Sequence, residues 1–332
     1  MIPSSRVVLL PALLAFSICH LAGRDPLFRL TLHVLDEEGA PVDRAEARIG
    51  AERRPKGEES GGKGVFAKGV TDEKGYFSGE VEAWSANQAG YHVQKEGHYG
   101  VWLTFRAKDP VQGKWQPWNP TIQVLLKRIK NPVPMYAKRV EVKIPEFNKP
   151  VGYDMVQGDW VVPYGNGKMS DLIFEADRHV QSDQEYHGKL TLRFSNIGDG
   201  LLDHEVANPD LPGLRMPYLA PDDGYAATKT WLESRHTLEN GEVKIISTAS
   251  RRMNYFIRVR TVRDKDGKIV SALYGKIHSD FRWFIGTRAP KSGLAFNYYL
   301  NPDGTRNIEY DPTRNLLQTS NSDDSAYKSL AP

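Results

Sequence analysis

The chain has 332 residues, 40% hydrophobic and 26% charged, with a formal net charge of +3 at pH 7. That length is enough for two hydrophobic cores, and so small a net charge gives no electrostatic case for nucleic acid or an anionic membrane as partner. The single cysteine, Cys19, excludes an internal disulfide framework.

Residues 1–23 read as a secretory signal peptide. Arg6 supplies the positive start, and Val7 to Ile18 is an apolar run broken only by Pro11 and Ser17. A bilayer span needs about 20 apolar residues, so no transmembrane helix is expected in the mature chain. Phe16-Ser17-Ile18 lacks the small residue that precedes a lipid-modified bacterial cysteine, which argues against lipid attachment at Cys19. Cleavage before Arg24 leaves a chain without cysteine, and this excludes thiol catalysis and thiolate metal sites. No N-x-[ST] sequon remains, because Asn119-Pro120-Thr121 carries proline at its centre. The expected location is secreted or periplasmic, in a bacterial envelope.

From Phe28 the pattern is that of strands. Phe28, Leu30, Leu32 and Val34 alternate with Arg29, Thr31 and His33, the period of a strand with one buried face. Asp36-Glu-Glu-Gly39 then reads as a turn and Pro41-Val42 restarts the chain. Glu52 to Lys68, rich in Gly, Lys and Glu, reads as a mobile loop. Val70-Thr-Asp-Glu-Lys-Gly75 repeats the turn and leads into Phe77, Gly79 and Val81. Glu82 to Ala89 is expected as a short helix before Tyr91-His-Val93. Val101, Leu103 and Phe105 alternate with Trp102, Thr104 and Arg106, a proline- and tryptophan-rich loop covers Asp109 to Pro120, and Ile122, Val124 and Leu126 close the domain.

The residues V-x-D-x-x-G-x-P-V-x-x-A (Val34, Asp36, Gly39, Pro41, Val42, Ala45) and G-x-T-D-x-x-G-x-F (Gly69, Thr71, Asp72, Gly75, Phe77) resemble the carboxypeptidase regulatory-like domain. That resemblance implies a transthyretin-like Greek-key β-sandwich over 24–129 and a non-catalytic appendage. Metallocarboxypeptidase chemistry itself is not expected of such an appendage.

Lys130-Asn-Pro-Val-Pro134 reads as the linker to a second domain over 130–317. Val140/Val142/Ile144, Leu190/Leu192/Phe194 and Leu294/Phe296/Tyr298/Leu300 alternate, and Leu172, Phe174 and Ala176 favour a strand over a helix. Tyr255, Ile257, Val259 and Thr261 set a buried face against Phe256, Arg258, Arg260 and Val262. Val262-x-Asp264-x-x-Gly267-x-x-Val270 echoes the first turn, read as shared hairpin chemistry before duplication. Residues 318–332 are polar and aperiodic, a frayed tail. SDLIFEADRHV, KLTLRFSNIGDG, NYFIRVRTV, SALYGKIHSDFRW and AFNYYLNPDGTRNIEYDPTRNL resemble the C-terminal region of exported proteins of planctomycete- and verrucomicrobium-type bacteria. That family has no assigned active site. The expected fold class is all-β, a sandwich followed by a larger β-rich, sandwich-like domain.

No nucleophile elbow, zincin, phosphate-loop or dinucleotide motif is present, so no catalytic residue, no metal site and no cofactor are assigned. Asp264-Lys-Asp266-Gly267 reads as a hairpin turn, not a calcium loop. Asp199, Asp203, His204 and Glu205, and the pair His92 and His98, are weighed as metal ligands against solvated side chains. Arg251, Arg252, Arg258, Arg260 and Arg263 beside Tyr255 and Phe256 read as a solvated face before a nucleic-acid surface. Trp102, Trp115 and Trp118 are the candidate ligand-binding residues. Trp102 lies on the face opposite Val101 and Leu103, and the other two lie in the loop, where indoles either hold a ligand or cover the sheet. The leading expectation is a non-catalytic exported protein that binds polysaccharide or an envelope protein, or serves as an envelope structural component. The alternative is an envelope hydrolase with a carboxylate/His site in the second domain.

Overall fold

The computed structural model describes residues 25–53, 62–83, 87–206, 214–285, 293–317 and 330. The expected signal peptide lies outside them. All regular structure among the described residues is β, and no helix there is long and apolar enough to cross a membrane.

The first nine strands are β1 (Leu27–Leu35), β2 (Glu46–Arg53), β3 (Lys63–Val70), β4 (Tyr76–Glu82), β5 (Gln88–Gln94), β6 (Val101–Arg106), β7 (Lys108–Val111), β8 (Lys114–Gln116) and β9 (Thr121–Leu125). One sheet runs β4-β1-β8-β7 with β9 also on β1, and the other runs β3-β2-β5-β6. Alternation along β1 sends Phe28, Leu30, Leu32 and Val34 inward, where they are almost fully buried against Ala47, Ile49, Ala89 and Val93 of the other sheet. The two turns owe their shape to aspartate. Asp36 accepts the N–H groups of Glu38 and Ala40 at 3.1 and 2.8 Å, and Asp72 those of Lys74 and Tyr76 at 2.9 and 2.8 Å. Gly39 and Gly75 close them at φ of 81° and 77°, a left-handed conformation that favours glycine.

Three local expectations change here. Lys63 to Lys68, read as loop, is strand β3 and pairs with β2 from Arg53↔Lys63 to Glu46↔Val70. Of the short helix expected over Glu82 to Ala89, Glu82, Gln88 and Ala89 are in strands, and residues 84–86 lie outside the described set. Asp109 to Pro120 is largely a hairpin, β7-β8, and β8 docks beside β1. In each case long-range pairing overrode a polar or proline-rich local composition.

The remaining strands are β10 (Val133–Lys143), β11 (Pro150–Asp154), β12 (Asp159–Trp160), β13 (Leu172–Ser182), β14 (Glu185–Arg193), β15 (Gly200–Glu205), β16 (Thr228–Thr237), β17 (Val243–Ser247), β18 (Met253–Arg263), β19 (Ile269–Phe284), β20 (Gly293–Asn301) and β21 (Tyr310–Asn315). They form sheets ordered β15-β18-β19-β20-β10-β21 and β12-β11-β13-β14-β16-β17. The core between them is aromatic: Phe281 lies 4.9–5.9 Å, ring to ring, from Phe174, Trp231, Tyr255 and Phe296.

The β18–β20 sheet is buried on both faces. Phe256, Tyr274 and Tyr299 point away from the aromatic core and are covered by Met216, Ala220 and Ile308 in a further apolar layer. The expected open face of β18 is thus closed, and Arg258 is buried with it. Leu330, inside the expected frayed tail, is also buried in this layer; residues 318–329 and 331–332 lie outside the described set.

The segment read as a linker is bonded at every step. Lys130 and Asn131 donate their N–H groups to Glu309 at 2.8 and 2.6 Å, and Asn307 donates to the Asn131 carbonyl at 2.7 Å. Pro134 falls inside β10 at a bulge facing β21, between Val133↔Tyr310 and Met135↔Asn315. The antiparallel ladder with β20 begins only at Tyr136, so the missing N–H costs no ladder bond.

Candidate functional site

The outer face of the β3-β2-β5-β6 sheet is built by register. Because Ala47, Ile49 and Ala51 of β2 point into the core, Arg48 and Gly50 point outward. One row across the four strands is Lys68–Arg48–His92–Trp102, and the next is Phe66–Gly50–Gly90–Thr104. Two central glycines remove the side chains between Phe66 and Thr104 and leave a groove of about 430 Å³. A second groove of similar volume lies beyond the row of Arg48 and His92.

Phe66 lies flat on the sheet. A Cβ at Gly50 or at Gly64 would collide with its ring, so both glycines permit a close approach that any other residue would block. A Cβ at Gly90, in contrast, would meet nothing closer than 3.9 Å, which makes Gly90 the open floor. The Arg48 guanidinium stacks over the Phe66 ring, 3.4 Å from its centroid, a cation–π contact that fixes both. On the other wall His92 packs against Trp102, centroids 5.3 Å apart. Burial and then the Arg48 charge push the His92 pKa down, with Glu46 opposing, so the imidazole is neutral at pH 7. Trp102 is 67% exposed and Phe66 48%. The Phe66 ring is thus held between sheet and guanidinium, and the exposed indole of Trp102 is what the polar-edged slot offers a flat, amphipathic ligand for stacking.

The three tryptophans do not share this surface. Trp115, expected in a loop, sits on β8 with its ring in the core. It stacks on Phe28 at 4.9 Å, is 5% exposed, and donates its indole N–H to the Ala83 carbonyl at 3.2 Å. Trp118 is half-buried just beyond β8, with Lys114 Nζ 4.9 Å above its ring. Both belong to the opposite sheet from Trp102, because the hairpin that carries them joins β1 and not β6. The sequence reading missed Phe66, Arg48 and the glycine floor. The signal available was Gly50 and Gly90 beside otherwise strand-like residues; Gly64 lay in the segment read as a loop.

The other candidates are structural neighbours rather than sites. His98 turns its Nδ1 to the Glu96 carbonyl at 3.0 Å, away from the His92–Trp102 pair. Alternation along β15 parts His204, which packs edge-on to Phe256, from Asp203 and Glu205, which pair with Lys229 and Arg252 at 2.6 and 3.2 Å. Asp199 is buried and accepts the Thr261 and Arg260 N–H groups at 2.8 and 3.1 Å. Among the described residues no group of three or more His, Cys, Asp or Glu side chains is placed to hold a metal ion. Asp264 accepts the Asp266 and Lys268 N–H groups at 3.0 and 2.9 Å, as a hairpin turn requires. The arginines are dispersed: Arg258 donates to the Gly198 and Asp222 carbonyls at 2.6 and 2.7 Å, and Arg252 reaches Glu205.

The buried carboxylates of the second part are saturated by donors. Arg260 clamps Asp171 through Nε and Nη2 at 2.8 and 3.0 Å and reaches Asp154 at 3.0 Å. Asp154 also accepts the Lys168 and Met169 N–H groups at 2.9 and 3.1 Å. Burial raises the Asp171 pKa against the pull of Arg260, whereas the surrounding N–H donors outweigh burial and lower that of Asp154. Asp280 accepts from the Trp231 indole, the Tyr255 hydroxyl and the Ser250 N–H at 2.7, 2.5 and 2.8 Å. These three carboxylates tie loops and strands together, with no open position at which a substrate would meet them.

No protein-family model matches this chain, and comparison with curated proteins finds no match. Among solved structures, 3-chlorocatechol 1,2-dioxygenase from Rhodococcus opacus is similar over 31% of this chain and 60% of its own, at 16% identity and a TM-score of 0.23. The match spans less than two thirds of that enzyme's length. A variant of the shaft pilin SpaA from Lactobacillus rhamnosus GG is similar over 81% of this chain and 93% of its own, at 11% identity and a TM-score of 0.22. BcpA, the major pilin subunit of Bacillus cereus, is similar over 85% and 99%, at 10% identity and a TM-score of 0.20. Likeness at this level carries no functional argument.

Proposed function

We propose that this is a non-catalytic exported protein, secreted or periplasmic, that holds a glycan chain of the cell envelope on the outer face of its first sandwich. The observation that carries the reading is the exposed Trp102 beside the open floor at Gly90, with Arg48, Thr104 and His92 at hand for hydroxyl groups. The sequence resemblance of this part to a carboxypeptidase regulatory-like domain agrees with an accessory, non-enzymatic module. The donor-saturated state of Asp154, Asp171 and Asp280 speaks against the hydrolase alternative, which needs a carboxylate free to take or give a proton.

The test is affinity electrophoresis through gels containing extracted envelope polysaccharide. Trp102→Ala and Phe66→Ala are each expected to lose most of the retardation of the parent protein while melting within a few degrees of it. Undiminished retardation of both variants refutes the groove as the binding surface.

A further inference from the structure

The same sheet face carries a feature that stability alone does not explain. Arg48 and Lys68 stand directly opposite one another across β2 and β3. Like charges at such a position destabilise a sheet. Neither side chain reaches a carboxylate among the described residues: Arg48 lies on the Phe66 ring, and the sheet's nearest acid along β2, Glu46, is engaged by the Gln94 amide at 2.5 Å. Two cations, one a planar guanidinium held flat by an aromatic ring, therefore stand in one row with His92 and Trp102, Arg48 lining both grooves and Lys68 the second. A guanidinium so held presents its N–H edge as a fork for a carboxylate or a sulfate.

We propose that the ligand of this groove is an acidic polysaccharide, one sugar ring stacked on Trp102 and a neighbouring carboxylate or sulfate bound by Arg48 and Lys68. The inference rests on the glycan reading above and narrows it to a charge class. Glu46 and Glu52 stand on adjoining rows of the same face, and they would repel a chain that carries a phosphate at every step. That favours a polymer in which charged and neutral units alternate over a nucleic acid. Four strands span about 14 Å at the spacing of a sheet, room for a few sugar rings across the face.

The experiment uses hyaluronan, in which uronate and neutral sugars alternate, and the same polymer with its carboxylates converted to methyl esters. Binding of the exported chain is measured by affinity electrophoresis and by titration at low and at physiological salt. The proposal expects binding to hyaluronan that weakens with salt and falls at least tenfold in the double variant Arg48→Gln/Lys68→Gln. A double variant that melts no lower than the parent shows that the loss is not one of folding, since it removes a like-charge pair. Lys265→Gln, in the distant β18–β19 turn, is expected to bind as the parent does. Equal binding of the ester overturns the charge class and leaves the glycan groove standing. Retention of neither polymer, with envelope polysaccharide also unbound, overturns both readings. Tighter binding of a short single-stranded oligonucleotide or of polyglutamate than of hyaluronan overturns this one.

Discussion

At the scale of single residues, two positions separate backbone demand from packing. Gly39 and Gly75 have nearly the same φ, but a Cβ at Gly39 meets nothing within 4 Å, whereas one at Gly75 would run into the Val34 carbonyl oxygen. Gly39→Ala is expected to cost about 1 kcal/mol for the left-handed backbone alone. Gly75→Ala adds a clash with main chain that cannot move aside, so it should lie at the upper end of the 1–3 kcal/mol typical of such strain. Chemical denaturation of the two variants checks the order, and equal losses would contradict it. A second case is Lys276, fully buried on the outer face of the β18–β20 sheet. Its Nζ has no hydrogen-bond partner and lies 4.9 Å over the Tyr299 ring. Burial, reinforced by Lys127 and Arg215 and opposed by Glu309, pushes its pKa down to about 7. The folded state then holds fewer protons than the unfolded chain between pH 7 and the ordinary lysine range, so stability rises with pH across that window. Lys276→Met should remove the penalty and stabilise the protein at pH 7 by about 1–4 kcal/mol. The gain should shrink toward pH 10, which thermal unfolding at several pH values measures. A gain that does not depend on pH would mean that Lys276 is not the titrating group.

At the scale of elements, the hairpin β7-β8 shows how one strand decides two tryptophans. β8 lies beside β1, with Leu27 opposite Lys114, and the next residue along β8 turns inward onto Phe28. Trp115→Ala is therefore a core truncation and should cost about 3–5 kcal/mol. Trp102→Ala, on the solvent face of β6, should change stability by no more than about 0.5 kcal/mol. Urea unfolding of the two single variants distinguishes them; a small loss for Trp115→Ala would place its ring outside the core. The contrast also sharpens any binding test, because only the Trp102 variant reports on ligand without a folding defect.

At the scale of the molecule, the β1–β9 sandwich and the β10–β21 sheets are joined through Glu309, which is 1% exposed. It accepts the Tyr99 hydroxyl at 2.9 Å from the first sandwich, as well as the Lys130 and Asn131 N–H groups. Beside it, the Tyr218 hydroxyl lies 3.0 Å from Glu37 and 2.7 Å from the Arg128 carbonyl, its one proton shared between them, and Lys130 pairs with Glu37 at 2.9 Å. Burial resists ionisation of Glu37, but the Lys130, Tyr218 and Arg128 donors hold its pKa down to about 2. The Glu37 contribution is complete above the ordinary glutamate range and is lost as pH falls through about 2. Glu309→Ala leaves three donors unpaired at the joint, each worth about 1–3 kcal/mol when left buried. Calorimetry should show a lower melting temperature and a transition split in two, as the first sandwich uncouples from the rest. A single transition at the parent temperature would show that the joint carries no coupling.

What the sequence determined by itself is what lies within a few residues of chain. Alternation in β1 and β13, the Asp-x-x-Gly turns and the outward direction of Trp102 follow from the two-residue period of a strand and from local aspartate–amide bonds. No distant residue is needed to read them. The groove was legible only in Trp102, because Phe66 and Lys68 fell in a segment whose composition suggested a loop. Their place beside Arg48 and Gly50 depends on the register of β3 against β2, which no local pattern encodes. The same limit hid the burial of Trp115, which depends on the sheet that β8 joins, and the second apolar layer over Phe256 and Tyr299. A period of two says that side chains point to opposite faces; only the tertiary structure decides whether the second face meets water or another layer of protein.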